Sequence, residues 1–410
     1  MSDLAGSPTE SPEPQSAALA QACRNQLGLE PGAVVRPETI EEAAEVVRLA
    51  SERKQVVVPW GGGTGQEFGY TPPRLDVLLD MSGLNRVIGH EPGDLTTTVQ
   101  AGVTLDALQD ALEQHNQFLP LDPPHSHRAT LGGILATDAY GASAQGHGTA
   151  RDWLIGITVV DGAGRIVRGG GKVVKNVTGY DLPKLHIGAL GTLGIIVEAT
   201  FKVAPRPEYS RGLLFGRASE TAVQRVHQET TPAMSLLRET AGGSILALIY
   251  TGFNEVVQHY VETAQAIAVE EEIERTSLPD GMPPPFTGNP PQAVLAVRVH
   301  GKPATVMSRH RALRESGYWS QLDTYPGLGV TDLYMDSQAE PEAAWESLLE
   351  WALRNGALVS ALRAPLAMRR EPAQVALWHP RPKTFPLMER LKITLDPENT
   401  LNRGRFVGGI

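Results

Sequence analysis

A run of glycines following a short apolar segment is the first feature of this chain that could do chemistry. Residues 61–65 read Gly-Gly-Gly-Thr-Gly, and the β-branched residues 55–59 before them predict a short buried strand. Backbone N–H groups can surround a pyrophosphate only where no β-carbon blocks the approach, so this loop predicts an anion-binding nest. A flexible surface turn explains a bare glycine run equally well.

Two common nucleotide-binding fingerprints fail at their diagnostic positions. Gln66 stands where G-x-G-x-x-G requires glycine, and Lys172 is followed by Val173 instead of Ser or Thr. The sequence therefore disfavours a Rossmann nicotinamide site and a nucleotide triphosphatase.

Further glycine-rich segments could supply the rest of a binding site for a long cofactor. They lie at residues 129–141, 146–152, 176–182 and 191–198. Two such loops on one sheet could grip a cofactor from opposite sides, with main chain passing close to a flat ring.

The order and spacing of these segments resemble the FAD-binding domain of the vanillyl-alcohol oxidase type. Residues 175–182 (Lys-Asn-Val-Thr-Gly-Tyr-Asp-Leu), after Gly170 and Gly171, resemble the glycolate oxidase FAD-binding (GlcE-like) subunits in particular. Residues 396–404 resemble the C-terminal signature of the wider family. The resemblance is close over residues 34–207 and about the last 25 residues.

This resemblance implies noncovalent FAD and a set of residues that hold it. The implied residues are Gly61, Gly62, Gly63, Thr64 and Gly65 at the pyrophosphate, Thr130, Gly132, Gly133 and Gly141 on a second wall, Ile195 and Ile196 at the adenine half, and Asn402 near the flavin ring. Neither glycine loop carries a His or Cys where some relatives attach flavin, and His147 is the nearest candidate for such a link.

The implied fold is α+β, with a vanillyl-alcohol-oxidase-type (PCMH) FAD-binding domain of two α/β subdomains and a smaller α+β cap domain. Residues 1–16 are expected to be a disordered tail, 17–207 the FAD domain, 208–386 the cap or substrate domain, and 387–410 a segment returning to the FAD domain. A capping-box spacing of Thr39 and Glu42 predicts a helix from Ile40, and a second helix is expected over residues 104–115. Residues 278–291 predict a Pro/Gly-rich loop.

Oxidation of a 2-hydroxy acid needs a cation for the carboxylate and a base for the hydroxyl proton. On a predicted strand over residues 293–300, alternation places Arg298 and His300 on one face with Val294 and Ala296, which makes them candidate catalytic residues. A solvent-facing strand surface would look the same. His379 and Lys383 are further candidates of the same kind.

No metal site is predicted. His125 and His127 lack a nearby third ligand. Relatives that oxidise 2-hydroxy acids alone carry a His-x-Gly-Asp-Gly-Asn-x-His motif, which is absent from this sequence. The resemblance implies partners, namely a larger FAD subunit and an iron–sulfur subunit that accepts electrons, and the missing motif leaves open that the larger subunit oxidises the substrate.

Composition limits the other classes of function. A net charge of −10 disfavours nucleic acid, and the single Cys23 excludes an internal disulfide or a cysteine-ligated cluster. Without a signal-peptide pattern or an apolar run of spanning length, we expect a cytoplasmic protein that meets a membrane only through partner subunits.

The leading hypothesis is a glycolate dehydrogenase subunit that oxidises glycolate to glyoxylate. The alternatives are a mainly structural FAD-carrying subunit and a stand-alone FAD-dependent D-2-hydroxy-acid dehydrogenase. A nicotinamide-dependent reductase of the cell-wall precursor type shares the FAD domain, but no feature of its substrate domain is seen.

Overall fold

A computed structural model of the chain describes residues 14–171, 181–278, 290–336 and 340–410. Helices and strands are interspersed along these residues, so the predicted α+β class is confirmed. None of the described helices is long and apolar enough to cross a bilayer.

The first half of the chain builds two sheets and a small strand pair. A parallel sheet has the order β1-β3-β2 and the bounds β1 (Ala33–Val35), β2 (Val57–Trp60) and β3 (Val77–Asp80). An antiparallel sheet has the order β4-β5-β9-β7-β8 and the bounds β4 (Val87–Glu91), β5 (Thr96–Gln100), β7 (Leu154–Val160), β8 (Ile166–Gly170) and β9 (Ile195–Lys202). The remaining pair is β6 (Gln117–Phe118) with β10 (Ala204–Pro205).

The helices of this half begin at capping residues or a proline. Their bounds are α1 (Pro14–Leu27), α2 (Ile40–Glu52), α3 (Leu105–Glu113), α4 (Leu131–Thr137), α5 (Ala144–His147), α6 (Ala150–Trp153) and α7 (Leu182–His186). The Thr39 hydroxyl accepts a hydrogen bond from Glu42 N at 3.1 Å, while the Glu42 carboxylate accepts one from Glu38 N at 2.8 Å. The predicted helix is confirmed, but the return bond of its capping box is displaced by one residue.

The tail prediction needs correction at its end, because α1 already begins at Pro14. Proline suits the first helical turn, where its missing N–H costs nothing. Further along α1, Cys23 and Leu27 are buried against Val58 and Trp60 of β2, which offsets the cost of ordering the helix. Residues 1–13 lie outside the described part of the chain.

The second half is dominated by one antiparallel sheet of nine strands, in the order β14-β11-β13-β12-β16-β17-β15-β18-β19. The bounds are β11 (Tyr209–Gly216), β12 (Met234–Thr240), β13 (Gly243–Gly252), β14 (Glu274–Leu278), β15 (Leu295–His300), β16 (Gln321–Tyr325), β17 (Val330–Met335), β18 (Leu358–Arg363) and β19 (Trp378–His379). The accompanying helices are α8 (Glu220–Glu229), α9 (Asn254–Glu270), α10 (Val306–Glu315), α11 (Pro341–Asn355) and α12 (Leu366–Arg369). Of the predicted loop 278–291, residues 279–289 lie outside the described part, and Leu278 ends β14.

The last part of the chain contacts its first half. Helix α13 (Phe385–Leu395) places Lys392 Nζ 2.9 Å from the carbonyl oxygen of Thr192 and 2.6 Å from Asp396 Oδ2. Leu401 forms a parallel bridge with Val57 of β2. These contacts, and the start of the nine-stranded sheet at Tyr209, support the proposed domain division near residue 207.

Candidate functional site

The glycine loop leaves the end of β2 with its backbone N–H groups available. Among the described residues, no hydrogen bond uses the N–H of Gly61, Gly62, Gly63, Thr64 or Gly65. Gly63 has a φ of 70°, in the left-handed region that favours glycine. The loop therefore offers a row of donors without acceptors, which is the property required of an anion nest.

Two of these glycines are also required by protein packing. A β-carbon at Gly61 would lie 2.2 Å from Thr130 Oγ1, and one at Gly62 would lie 1.7 Å from the carbonyl oxygen of Arg128. The glycine loop thus packs so closely against residues 128–130 that no side chain fits at Gly61 or Gly62. The sequence interpretation, which assigned these glycines to a ligand alone, missed this contact.

The second wall is the first turn of α4. Thr130 caps this helix, its hydroxyl accepting from Gly133 N at 3.3 Å, while Gly132 N donates to the carbonyl oxygen of Ala101 at 2.8 Å. A β-carbon at Gly132 would lie 2.8 Å from the Ala101 β-carbon, whereas one at Gly133 would meet only Thr130 Oγ1, at 3.2 Å. Gly133 is therefore the wall position where an added side chain meets least protein.

A cavity of about 80 Å³ lies between the two walls, and it brings together all the predicted cofactor residues except Gly141. They are Gly61, Gly62, Gly63, Thr64, Gly65, Thr130, Gly132, Gly133, Ile195, Ile196 and Asn402. We call it the glycine-loop cavity. Gly191, from the predicted segment 191–198, lines it as well.

Asn402 closes the glycine-loop cavity from the C-terminal segment. Its side chain is only 3% exposed, and its Nδ2 donates to the carbonyl oxygen of Leu190 at 2.5 Å. Its N–H donates to the carbonyl oxygen of Val57 at 2.9 Å. The other side-chain atom, Oδ1, is buried without a hydrogen-bond partner among the described residues, so it is an acceptor that a ligand could satisfy.

Gly141 lies instead in a second, larger cavity of about 290 Å³, so it does not share the wall formed by Thr130, Gly132 and Gly133. The chain turns away after α4, and Gly141 N donates to Asp122 Oδ1 at 3.1 Å. The two cavities are adjacent and meet at Thr64, Gly65 and Thr137, which line both.

The floor of the larger cavity is one face of the nine-stranded sheet. Strand register places Arg238, Asp323, Asp332 and Arg298 side by side on β12, β16, β17 and β15. Arg238 Nε and Nη2 donate to Asp323 at 2.7 and 2.6 Å, and Arg298 Nε and Nη2 donate to Asp332 at 2.7 Å each. We call this row the charge ladder. Residues two positions further along these strands point to the same face and also line the cavity; they include His300, Tyr325 and Tyr334.

Arg298 is held more firmly than the sequence suggested. Besides its paired hydrogen bonds, its guanidinium stacks 4.2 Å from the centre of the Tyr140 ring. Burial acts to lower the pKa of Arg298, but the Asp332 carboxylate outweighs it and holds the pKa well above its usual range. Its Nη1 makes no hydrogen bond to the described residues and remains a donor. The Asp332 carboxylate thus balances the charge of Arg298, and Nη1 of the guanidinium is left to donate to a ligand.

His300 lies two residues from Arg298 on the same face, as predicted, and lines the larger cavity. Burial, and then the positive charge of Arg298, lower the pKa of His300 to about 4. The imidazole is therefore neutral near pH 7, as a general base must be, and its low pKa makes it a weak base. The other two candidates, His379 of β19 and the exposed Lys383, line neither cavity.

The remaining predicted segments have other places in the structure. His125 lines the larger cavity with its ring centre 6.4 Å from that of His127, and no group of three potential metal ligands occurs among the described residues. His147 lines neither cavity and packs edge-on against Phe118 at 5.9 Å. Of the run 175–182, residues 175–180 lie outside the described part, while Asp181 caps α7.

Sequence reasoning missed the carboxylates of the charge ladder. Asp323 and Asp332 are 2% exposed, and each pairs with an arginine on the neighbouring strand that is distant in the sequence, so these contacts left no local signal. It also missed Arg405, which lines the glycine-loop cavity.

Comparison with known proteins identifies the first domain. Residues 31–170 match the FAD binding domain family. The chain is 26% identical to glycolate oxidase subunit GlcD of Bacillus subtilis over 92% of its own length and 89% of that protein. It is 39% identical to glycolate oxidase subunit GlcE of Escherichia coli over 41% of this chain and 48% of that protein. It is 35% identical to D-2-hydroxyglutarate dehydrogenase of Xanthomonas citri over 48% of this chain and 42% of that protein. The matched region therefore spans less than half the length of GlcE and of this dehydrogenase.

Solved structures share the fold over nearly the whole chain. p-Cresol methylhydroxylase superposes with a TM-score of 0.71 and 19% identity, covering 97% of this chain and 92% of that one. Alkyldihydroxyacetonephosphate synthase superposes with a TM-score of 0.66 and 18% identity, covering 91% and 76%. The predicted PCMH-type fold is therefore confirmed. Residues 31–170 match the FAD binding domain family, and the chain is an FAD-dependent oxidoreductase with the p-cresol methylhydroxylase fold.

Proposed function

We propose that the chain holds FAD across the two adjacent cavities and is the flavin subunit of a complex that oxidises a 2-hydroxy acid of the glycolate kind. The observation that carries this proposal is the junction at Thr64, Gly65 and Thr137. A dinucleotide that follows the glycine-loop cavity reaches, at this junction, a cavity lined by Arg298 and His300.

The residues of the glycine-loop cavity fit a dinucleotide. The free N–H groups of residues 61–65 suit a diphosphate, and the buried Asn402 Oδ1 offers an acceptor that lacks a protein donor. At about 80 Å³ this cavity is too small for a whole dinucleotide, so the cofactor must extend toward the larger one. When bound, FAD supplies the acceptor for the two electrons of alcohol oxidation.

The larger cavity supplies the groups that the substrate needs. Neutral His300 takes the hydroxyl proton, and Arg298 Nη1 donates to the substrate carboxylate. The stack on Tyr140 and the paired bonds to Asp332 fix the guanidinium, so little side-chain entropy is lost when substrate binds.

The proposed FAD is noncovalent. His147, the residue considered for a link, lines neither cavity. Acid precipitation of the purified protein tests this, because noncovalent flavin passes into the supernatant. Yellow flavin retained in the pellet would contradict the proposal and would direct attention to His125 and His300, which line the larger cavity.

The proposed partners are a larger FAD subunit and an iron–sulfur subunit. Two of the relatives are named as subunits of glycolate oxidase, which supports a multisubunit assembly. Purification of the tagged chain from its own cells tests this proposal. We expect a flavin spectrum and co-purification of a second flavoprotein and an iron–sulfur protein. A stable monomer that turns over glycolate unaided would instead support the stand-alone dehydrogenase.

A second candidate function is an FAD-carrying subunit without substrate turnover of its own. It is favoured by the charges that line the larger cavity, where three arginines (Arg238, Arg298, Arg363) face four aspartates (Asp122, Asp138, Asp323, Asp332), a formal sum of −1. Each of these arginines already contacts a carboxylate. Such a cavity attracts an anionic substrate weakly.

Anaerobic mixing with glycolate distinguishes the two functions. Bleaching of the flavin in the isolated, FAD-loaded chain supports substrate oxidation by this subunit. Bleaching that requires the partner subunits, with the isolated chain remaining oxidised, supports the second function.

A further inference from the structure

Arg405 is buried beside the glycine-loop cavity without a carboxylate partner among the described residues. It is 3% exposed, and its guanidinium donates to neutral amide oxygens. Nη2 donates to the carbonyl oxygens of Gln66 and Phe68 at 2.7 and 3.1 Å, Nε donates to that of Tyr70 at 3.3 Å, and Nη1 donates to Gln66 Oε1.

Arg369 holds the same segment from the other side. Its Nη2 donates to the carbonyl oxygen of Gln66 at 2.8 Å, its Nε to that of Gly69 at 2.9 Å and its Nη1 to that of Gln26 at 2.8 Å. It is 1% exposed, but unlike Arg405 it does not line the glycine-loop cavity. The two residues are therefore alike in burial and bonding and differ in access to the cavity.

The two adjacent cavities differ in charge. Arg405 is the one charged side chain that lines the glycine-loop cavity within the described part of the chain, whereas the arginines of the larger cavity are paired with acids. A buried guanidinium without a counter-charge loses solvation that amide oxygens restore only in part. Burial lowers the pKa of Arg405 to about 9, which leaves it charged at neutral pH. An anion in this cavity would offset the loss.

We propose that Arg405 is the counter-charge for the diphosphate of the bound cofactor, while Arg369 only anchors residues 66–70. Cofactor binding then relieves an unfavourable buried charge, and the glycine N–H groups and Arg405 act on the same anion. This inference rests on the proposed placement of FAD in the glycine-loop cavity.

FAD titration of the apoprotein tests the inference with matched variants. Arg405→Gln is expected to bind FAD at least about tenfold more weakly than the wild type, and Arg369→Gln within about threefold of it. The midpoint potential of bound FAD is expected to be unchanged in both variants, because the charge acts on the diphosphate. Equal losses in the two variants, or a changed potential with unchanged affinity, would overturn the inference.

Two lysine variants, Arg405→Lys and Arg369→Lys, test the role of the charge through the pH dependence of FAD affinity. A change in packing alone would not produce such a dependence. A lysine at position 405 keeps the charge but titrates more readily when buried. Arg405→Lys is therefore expected to bind FAD nearly as the wild type does at pH 6 and to lose about tenfold relative to the wild type as the pH rises to 8, below the pKa of about 9 of Arg405. The affinity of Arg369→Lys is expected to follow the wild type over this range. If Arg405→Gln does not fold, this pH profile decides the question, and a flat profile for Arg405→Lys would refute the inference.

A cavity-filling variant separates this inference from the placement on which it rests. Gly133→Leu adds a side chain at the wall of the glycine-loop cavity. If it binds FAD as the wild type does, the placement of the cofactor is wrong. If it loses FAD while Arg405→Gln and Arg369→Gln behave alike, the placement stands and only the role of Arg405 is wrong.

Discussion

The glycines around the glycine-loop cavity serve two different purposes. Gly61, Gly62 and Gly132 are required by neighbouring protein atoms, since a β-carbon at any of them would lie within 3 Å of another residue. Gly133 has only Thr130 Oγ1 nearby, at 3.2 Å. Substitution at the first three would disturb the apoprotein as well as the site, whereas substitution at Gly133 tests the site itself.

Gly133→Leu is expected to weaken FAD binding by about 100-fold or more, because its side chain would occupy space proposed for the cofactor. The apoprotein should unfold at nearly the wild-type temperature, since glycine within a helix is unfavourable by about 1 kcal/mol relative to alanine. FAD titration and thermal unfolding of the apoprotein measure the two effects. Gly93→Leu, at an exposed position with no atom within 4 Å of the added β-carbon, is the matched control. Equal FAD affinities of the two variants would contradict the proposed site.

His300→Gln is expected to slow flavin reduction by glycolate by about 100-fold or more, the usual contribution of a general base. FAD affinity should change little, because the diphosphate is proposed to bind in the glycine-loop cavity, which His300 does not line. Stopped-flow absorbance of the FAD-loaded complex measures the rate. Ser360→Ala, which changes a neighbour of Arg298 in the same cavity, is the control and should retain most of the rate. A full rate in His300→Gln would place the base elsewhere.

At the scale of elements, the register of four strands creates the charge ladder. Arg238, Asp323, Asp332 and Arg298 are neighbours only because β12, β16, β17 and β15 are adjacent and in that register. A shift of one residue in any strand would turn its charged side chain to the opposite face. The lining of the larger cavity by the charge ladder therefore depends on the correct register of these four strands.

Asp332→Leu is expected to destabilise the protein by about 3–5 kcal/mol, because it leaves the buried Arg298 without its counter-charge. The double variant Arg298→Met/Asp332→Leu should recover most of this loss, since no unpaired charge remains. Urea unfolding of the apoprotein measures both free energies. A double variant as unstable as the single one would show that the pair contributes through packing and not through charge.

For the whole molecule, buried neutral histidines make stability depend on pH. Burial lowers the pKa of His186, which is 5% exposed, from its ordinary value of 6.5 to about 4, and lowers those of His227 and His300 to about 4 as well. Between pH 6.5 and 4 the unfolded chain binds more protons than the folded one. The histidine contribution to stability is thus complete above pH 6.5 and is lost as the pH falls toward 4.

His186→Gln is expected to reduce this acid-dependent loss by at most about 3 kcal/mol, the value of one histidine shifted by this amount. Urea unfolding of the wild type and the variant at a series of pH values from 7 to 4 measures it. The stability of the wild type relative to that of the variant should fall as the pH goes from 7 to 4. Parallel curves over the whole range would mean that folding does not shift the pKa of His186.

The sequence alone determined the local features of this protein. The glycine loop after β2, the capped helix that begins at Ile40 and the common face of Arg298 and His300 follow from backbone sterics, capping and alternation, which act between residues close in the chain. Resemblance of spaced motifs added the PCMH-type fold and the cofactor. Only the tertiary structure decided that Gly141 lines the other cavity, that Arg298 is paired with Asp332 and that Arg405 has no acid partner among the described residues. Those facts depend on strand register and on chain segments hundreds of residues apart, and the free energies of such contacts leave no periodic signal in the sequence.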